Sequence, residues 1–427
     1  MLSGSATLAV AARHALRHLV AFPRPFEPAE QLALALDECG SLSEYVTGFV
    51  WSSADGASPL LHAADRVLGR RASAALRRRR APSLTSSSIH SFPTIDAGRT
   101  LAAAVGWRRL EDRLWELDDH RFASLAAQRA VDCDVVHGFE HAALELFRVA
   151  RARRTKTVLY LSGVHPSFHD DIFDRAYERS PQFKHTIAWR LRERRHRRDA
   201  RRIAEYDLAD AIVVGSSLLK RSLVQHSVPA AKIEIVPLGA APAAASVHDV
   251  GPRSGGLRAL FAGKVSFHKG CHVLLDAWRN VTSDPSVLTL AGHSELPSAM
   301  VRQRGVEAVG VLSQRELFDV MSRSDVLVLP TLCDSFGLVI AEALMHGVPV
   351  LTTANAGAAD LIEEGVNGWV VAADDEAALG RRLAWCETHL DLLRAMRRQV
   401  SESAGARRTW DVYRADLRNV LARRDLL

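Results

Sequence analysis

Twice along this chain, on either side of a stretch rich in alanine, proline and glycine, short apolar and β-branched runs alternate with longer runs of helical period. In the first series the strand candidates are RHLVAF (17–22), EYVTGFVW (44–51), DVVHGF (134–139), KTVLYLSG (156–163), AIVVGSS (211–217) and IEIVPLG (233–239). In the second they are LRALFAG (257–263), VLTLAG (287–292), EAVGVL (307–312), DVLVLPT (325–331), PVLTT (349–353) and NGWVVAA (367–373). Strands that are apolar on both faces need cover on both, and crossover helices between parallel strands supply it. The pattern therefore predicts an α/β chain of two doubly wound, parallel-sheet domains, with ligands at the carboxyl ends of the strands and a cleft between the domains. A chain of 427 residues is long enough for two cores. The expected bounds are 1–238 for the first domain, 239–256 for the linker, 257–405 for the second domain and 406–427 for a terminal helix.

Hydrophobic residues make up 48% of the chain and charged residues 24%, a balance that excludes a disordered polymer. The net charge of +6 arises from bunched arginines, in GRRASAALRRRR (Gly69 to Arg80) and WRLRERRHRRDARR (Trp189 to Arg202). Such clusters could meet nucleic acid, an anionic leaflet or an acidic substrate, or could be a solvated helix face. Cys39, Cys133, Cys271, Cys333 and Cys386 are far apart and odd in number, so neither a disulfide framework nor a zinc site is expected, and a reducing cytoplasm fits. The opening MLSGSATLAVAARHALRHLVAF is interrupted by Arg13 and Arg17 and is not read as a signal peptide. No apolar run reaches the ~20 residues of a membrane helix, so any membrane contact would be peripheral.

The stretch PTLCDSFGLVIAEALMHGVPVL, Pro330 to Leu351, reads as the end of a buried strand, a tight turn with Gly337, and a helix that stops at Gly347. Free amides around Phe336 to Leu338, with the helix dipole behind them, make an anion site suited to a phosphate or diphosphate. Glu342, deeper in the helix, could accept hydrogen bonds from ribose-like hydroxyls, and Asp334, ahead of it, could meet hydroxyls attached beyond the phosphates. Asp334 or Ser335 could equally cap the helix, and Glu342 could face water. The first strand of the second series runs into FAGKVSFHKG, placing Lys264 and Lys269 at the same sheet edge. Their ammonium groups could neutralise charge developing on a diphosphate without a metal.

These segments resemble glycosyltransferase family 4, retaining sugar-nucleotide-dependent enzymes of the GT-B fold. FAGKVSFHKGCHVLLDAW is similar to the family's G-R-L-x(3)-K-G segment, with Lys264 in the arginine position and Lys269 matching its lysine. DSFGLVIAEALMHGVPVLTT resembles its E-x(7)-E segment, and GAADLIEEGVNGWVV the loop and strand that follow, with Asp360 where a glutamate is usual. YDLADAIVVGSSLLKRSLV and KIEIVPLGA look like the closing elements and hinge of the family's first domain. The resemblance implies two Rossmann-like domains facing a central cleft, the first binding acceptor and the second nucleotide sugar, with a terminal helix around Trp410 crossing back.

By the same resemblance Lys264 and Lys269 bind the donor diphosphate, Ser335 and the backbone of Phe336, Gly337 and Leu338 cradle the phosphates, Glu342 holds the ribose and Asp334 the transferred sugar. His165, directly after a strand, stands where a family histidine faces the reacting sugar. His137, Glu140 and His141 lie at another strand end, and Arg24 lies in a proline-rich loop, PRPFEP, that replaces the family's glycine-rich one; these are the acceptor-site candidates. No metal and no other cofactor is expected. The expected partners are a nucleotide sugar and a glycan or lipid-linked acceptor, with an anionic membrane surface reached through the arginine-rich helix and no nucleic acid. Asp334 is one methylene shorter than the usual glutamate, and a lysine cannot fork onto a diphosphate as arginine does. A sugar-nucleotide-binding protein without turnover and an arginine-driven nucleic-acid binder are the rival classes.

Overall fold

The computed structural model describes residues 16–48, 50, 84, 88–92, 98, 99, 102, 107–184, 195–241, 255–281, 283–403 and 408–427. Outside them lie the opening segment to residue 15, the first arginine cluster, residues 189–194 of the second, and most of the alanine-, proline- and glycine-rich stretch. Thirteen strands are described: β1 His18–Phe22, β2 Leu42–Thr47, β3 Ser88–Ser91, β4 Val135–Phe139, β5 Lys156–Leu161, β6 Ala211–Val214, β7 Ile233–Ile235, β8 Arg258–Ala262, β9 Val287–Ala291, β10 Val306–Gly310, β11 Val326–Leu329, β12 Val350–Thr353 and β13 Gly368–Val371. The helices are α1 Glu27–Asp37, α2 Arg108–Arg129, α3 Leu144–Ala152, α4 Pro166–Arg179, α5 Arg195–Leu208, α6 Ser217–Val224, α7 Cys271–Val281, α8 Ser298–Val301, α9 Gln314–Ser322, α10 Leu338–Met345, α11 Glu376–Thr388, α12 Leu390–Glu402 and α13 Trp410–Arg423.

The strands form a seven-stranded sheet of order β3-β2-β1-β4-β5-β6-β7 and a six-stranded sheet of order β10-β9-β8-β11-β12-β13. Every strand pairing with a resolved register is parallel, as the strand–helix alternation predicts. The strand nobody would place from the sequence is β3: SIHS is four residues, half serine, and pairs only with β2 at the sheet edge. At the other sheet's edge β10 is largely exposed and ends at Gly310 in a left-handed conformation. By contrast β8, β11 and β12 are almost wholly buried, which is why their β-branched and leucine-rich runs were legible.

Two compact units result: Met1–Gly138 with Glu145–Thr157 and Arg418–Leu427, and Phe139–Leu144 with Val158–Leu417. In the first, β1 is sealed by α1, whose Leu32 and Leu36 are fully buried, and Arg418 pairs with Glu38 at 2.5 Å. In the second, Trp278, Phe261, Leu260 and Leu344 anchor a core around β8 and β11. Burying one leucine or phenylalanine side chain stabilises by about 1.5–3 kcal/mol, so this core fixes the sheet edge on which the site is built. Among the described residues no helix is long and apolar enough to cross a membrane.

Candidate functional site

In the six-stranded sheet the order reverses between β8 and β11, which pair in register from Val326 opposite Ala259. Loops leaving two such strands diverge to opposite faces, and the gap they leave at the carboxyl edge is where a ligand fits. Both lysine-bearing and acid-bearing motifs leave the sheet here: the loop Gly263–Gly270 after β8, and the turn Pro330–Gly337 after β11.

The two loops are pressed backbone to backbone. Gly270 has φ +67°, and a Cβ on it would stand 1.9 Å from the Pro330 carbonyl oxygen. Thr331 Oγ1 and Leu332 N both donate to the His268 carbonyl, at 3.3 and 3.1 Å. Across this seam Lys269 Nζ donates to Asp334 Oδ2 in a close ion pair, both side chains being largely buried. The acid turn is itself laid on the segment Ala354–Ala358: Asp334 N donates to Asn355 O at 2.9 Å, Gly357 N returns a bond to Asp334 O at 2.9 Å, and Ala358 N donates to Phe336 O. A Cβ at Gly357 would lie 2.0 Å from Ser335 O, so only glycine allows that approach.

Helix α10 begins at Gly337, whose φ of 84° is left-handed and which has no side-chain cap. Neither Asp334 nor Ser335 caps the helix, although the sequence allowed it. Among the described residues no acceptor pairs with the amides of Phe336, Gly337 and Leu338, and these start an eight-residue helix. Donors so arranged, with the helix dipole aligned behind them, attract an anion. One turn further, the Glu342 carboxyl is raised above its ordinary range by burial alone. Lys264 is exposed and its ammonium pairs with Glu295 at 3.2 Å.

His165 caps α4: its Nδ1 accepts from Ser167 N at 3.2 Å, while its own amide donates to Ser222 Oγ on α6 at 3.0 Å. The ring stacks on His226 at 4.3 Å. Burial first, then His226 and Arg202, push its pKa down to about 4. With Nδ1 accepting, a neutral ring carries its proton on Nε2 and can donate from there. Helix α6 also reaches the acid turn. Ser216 Oγ donates to Ser335 O at 3.0 Å, and Ser217 donates through N and Oγ to the Asp360 carboxylate at 2.6 and 2.5 Å. The family resemblance marks Asp360 only as a departure from a pattern; its partner 143 residues away is visible only in the fold.

The acceptor candidates occupy engaged positions. Arg24 pairs with Asp119 at 2.7 Å and lies over the Trp115 ring at 4.9 Å. His137 is buried in β4, hydrogen-bonded to the His18 ring at 2.8 Å, and burial lowers its pKa well below the ordinary value. Glu140 accepts from Arg202 Nε at 2.5 Å and from Tyr206 Oη at 3.3 Å. His141 adopts φ 75°, with its amide on Glu205 at 2.8 Å and its carbonyl on Arg201. Arg201 and Arg202, the end of the second arginine cluster, thus turn inward rather than to solvent.

A family profile described as glycosyl transferases group 1 matches residues 256–388. Over 178 residues, 38% of this chain, the sequence is 33% identical to the D-inositol 3-phosphate glycosyltransferase of Xylanimonas cellulosilytica. Over 143 residues, 30% of this chain, it is 26% identical to the putative colanic acid biosynthesis glycosyltransferase WcaL of Salmonella typhimurium. The matches span 41% and 35% of those relatives. The structure of Anabaena Alr3699/HepE in complex with UDP superposes with a TM-score of 0.59 at 15% identity, covering 95% of this chain and all of that one. The architecture is the GT-B fold, and residues 256–388 of this chain match the glycosyl transferases group 1 profile.

Proposed function

We propose that this chain is a retaining glycosyltransferase that moves a sugar from a nucleotide-diphosphate carrier to a hydroxyl on a glycan or lipid-linked acceptor, in polysaccharide or glycolipid synthesis. The observation that carries this is the meeting of Lys269, Asp334 and the amides of Phe336–Leu338 at the strand-order reversal of the six-stranded sheet. A diphosphate seated on those amides would draw Lys269 toward itself. As the sugar–oxygen bond breaks, charge grows on the leaving oxygen, and an ammonium and fixed backbone dipoles already aimed there lower the barrier without reorganising. Lys264 would swing from Glu295 to add a second charge, so the residues present suffice without a metal.

Released from Lys269, Asp334 would accept hydrogen bonds from hydroxyls of the transferred sugar, and Glu342 from the ribose. His165 would donate from Nε2 to the sugar. Attack from the face the leaving group departs from, with the diphosphate taking the acceptor proton, retains the anomeric configuration. The name of the Salmonella relative, a putative colanic acid biosynthesis glycosyltransferase, supports a role in polysaccharide synthesis, and UDP in the Anabaena protein makes UDP-sugars the first donors to test. An anionic leaflet would be met by those arginines of the second cluster that precede the inward-facing pair; vesicle co-sedimentation lost on raising salt is the expected result.

Thermal-shift screening with UDP, GDP and ADP, followed by hydrolysis assays on their sugar conjugates and NMR of the released anomer, tests the proposal. A melting-point rise and slow release of sugar with retained configuration are expected. Binding with no hydrolysis or transfer would mark a binding protein without turnover.

A further inference from the structure

Three segments of the second unit meet at His268. Its carbonyl holds Thr331 and Leu332 of the acid turn, as described above. Its Nε2 lies 3.1 Å from Tyr177 Oη on α4, and its ring stands edge-on to Phe173 of the same helix at 4.3 Å. The preceding residue is gripped as well: Phe267 stacks on Tyr177 and on Phe183, each at 4.7 Å. The following residue but one, Gly270, is jammed against Pro330. Between these fixed points sits Lys269.

A lysine ammonium rides on a flexible four-carbon stem, so its position is useful only if the backbone that launches it is fixed. Anchoring both the carbonyl and the side chain of His268 leaves the peptide entering Lys269 no freedom to rotate. We infer that His268, held by Tyr177, is a positioning residue for Lys269, setting where the ammonium stands relative to a bound diphosphate. Helix α4, which starts at His165, is then a rigid strut whose two ends serve the sugar side and the phosphate side of one site. This rests on the donor-site assignment made above.

Calorimetric titration of the full-length chain with UDP, GDP and ADP tests it, using Tyr177→Phe, His268→Ala, Lys269→Ala and the double variant His268→Ala with Lys269→Ala. Tyr177→Phe keeps the ring stack, should lower the melting temperature by only a few degrees, and should weaken nucleotide binding roughly three- to tenfold, the scale of one lost hydrogen bond. His268→Ala should weaken it by about tenfold or more, and that loss should shrink to within about twofold when Lys269 is already alanine. Undiminished binding by His268→Ala, or an equal loss with and without Lys269, overturns the positioning role alone. A parent that binds none of the three nucleotides removes the donor site, and the proposal with it.

Discussion

Lys269 and Asp334 neutralise one another: the ammonium at the end of one loop donates to Oδ2 of the acid that opens the next, across 65 residues of sequence. The two charges proposed to bind the diphosphate and the sugar thus satisfy each other in this pair. Asp334→Asn is expected to leave nucleoside diphosphate binding equal or tighter, since it frees the ammonium, while transfer falls about 10- to 100-fold through loss of the charged acceptor. Lys269→Ala is expected to lower kcat on the order of 10²–10³-fold. Steady-state kinetics beside calorimetric titration check both.

Gly270→Ala tests the seam between the loops. A methyl group would meet the Pro330 oxygen at 1.9 Å, in a backbone conformation that side chains disfavour. A loss of about 2–4 kcal/mol in urea denaturation, with nucleotide binding lost before global unfolding, is expected.

Asp360→Ala removes the acceptor of the Ser217 amide and hydroxyl at the start of α6. Ser216 still caps the helix through Leu219 N, so the loss should be modest, about 1 kcal/mol, and visible as a small drop in melting temperature.

His165 keeps its proton off until about pH 4. Between pH 5.5 and 8 the kcat/KM profiles of the parent and of His165→Gln should therefore share one shape, with the variant lower throughout. An acid limb near pH 6.5 in the parent, absent from the variant, would show that the ring titrates.

His18 makes a stability prediction. Burial pushes its pKa down to about 4, against about 6.5 in the unfolded chain. Below pH 6.5 the unfolded state takes up the proton and the folded state does not, so its contribution is whole above pH 6.5 and is lost as pH falls toward 4. The expected limit is about 1.4 kcal/mol per pH unit for this proton, read from urea denaturation of the parent against His18→Phe at pH 7, 6 and 5.

How much of this was legible in the sequence depended on burial. VLVL in β11 and ALFA in β8 are buried, and an unbroken apolar run between turn residues admits few other readings. β3 was not legible, because an edge strand pairing on one side needs no apolar signature. The turn ahead of α10 could be read as an anion site because glycine and helix period are local properties. Whether a polar residue after a strand faces a ligand or a neighbour is not local: Glu140 meets Arg202, and His137 meets His18, through contacts 62 and 119 residues apart.

By itself, then, the sequence determined two series of parallel strands and the turn chemistry at their ends, since periodicity and glycine act within a few residues. Only the tertiary structure decided that Lys269 faces Asp334, that His268 is clasped by Tyr177 and that Asp360 holds Ser217. The first pairing follows from strand order, which places β8 beside β11, and the other two from helices α4 and α6, which follow strands of the seven-stranded sheet; neither strand order nor helix packing is set by any short stretch of chain.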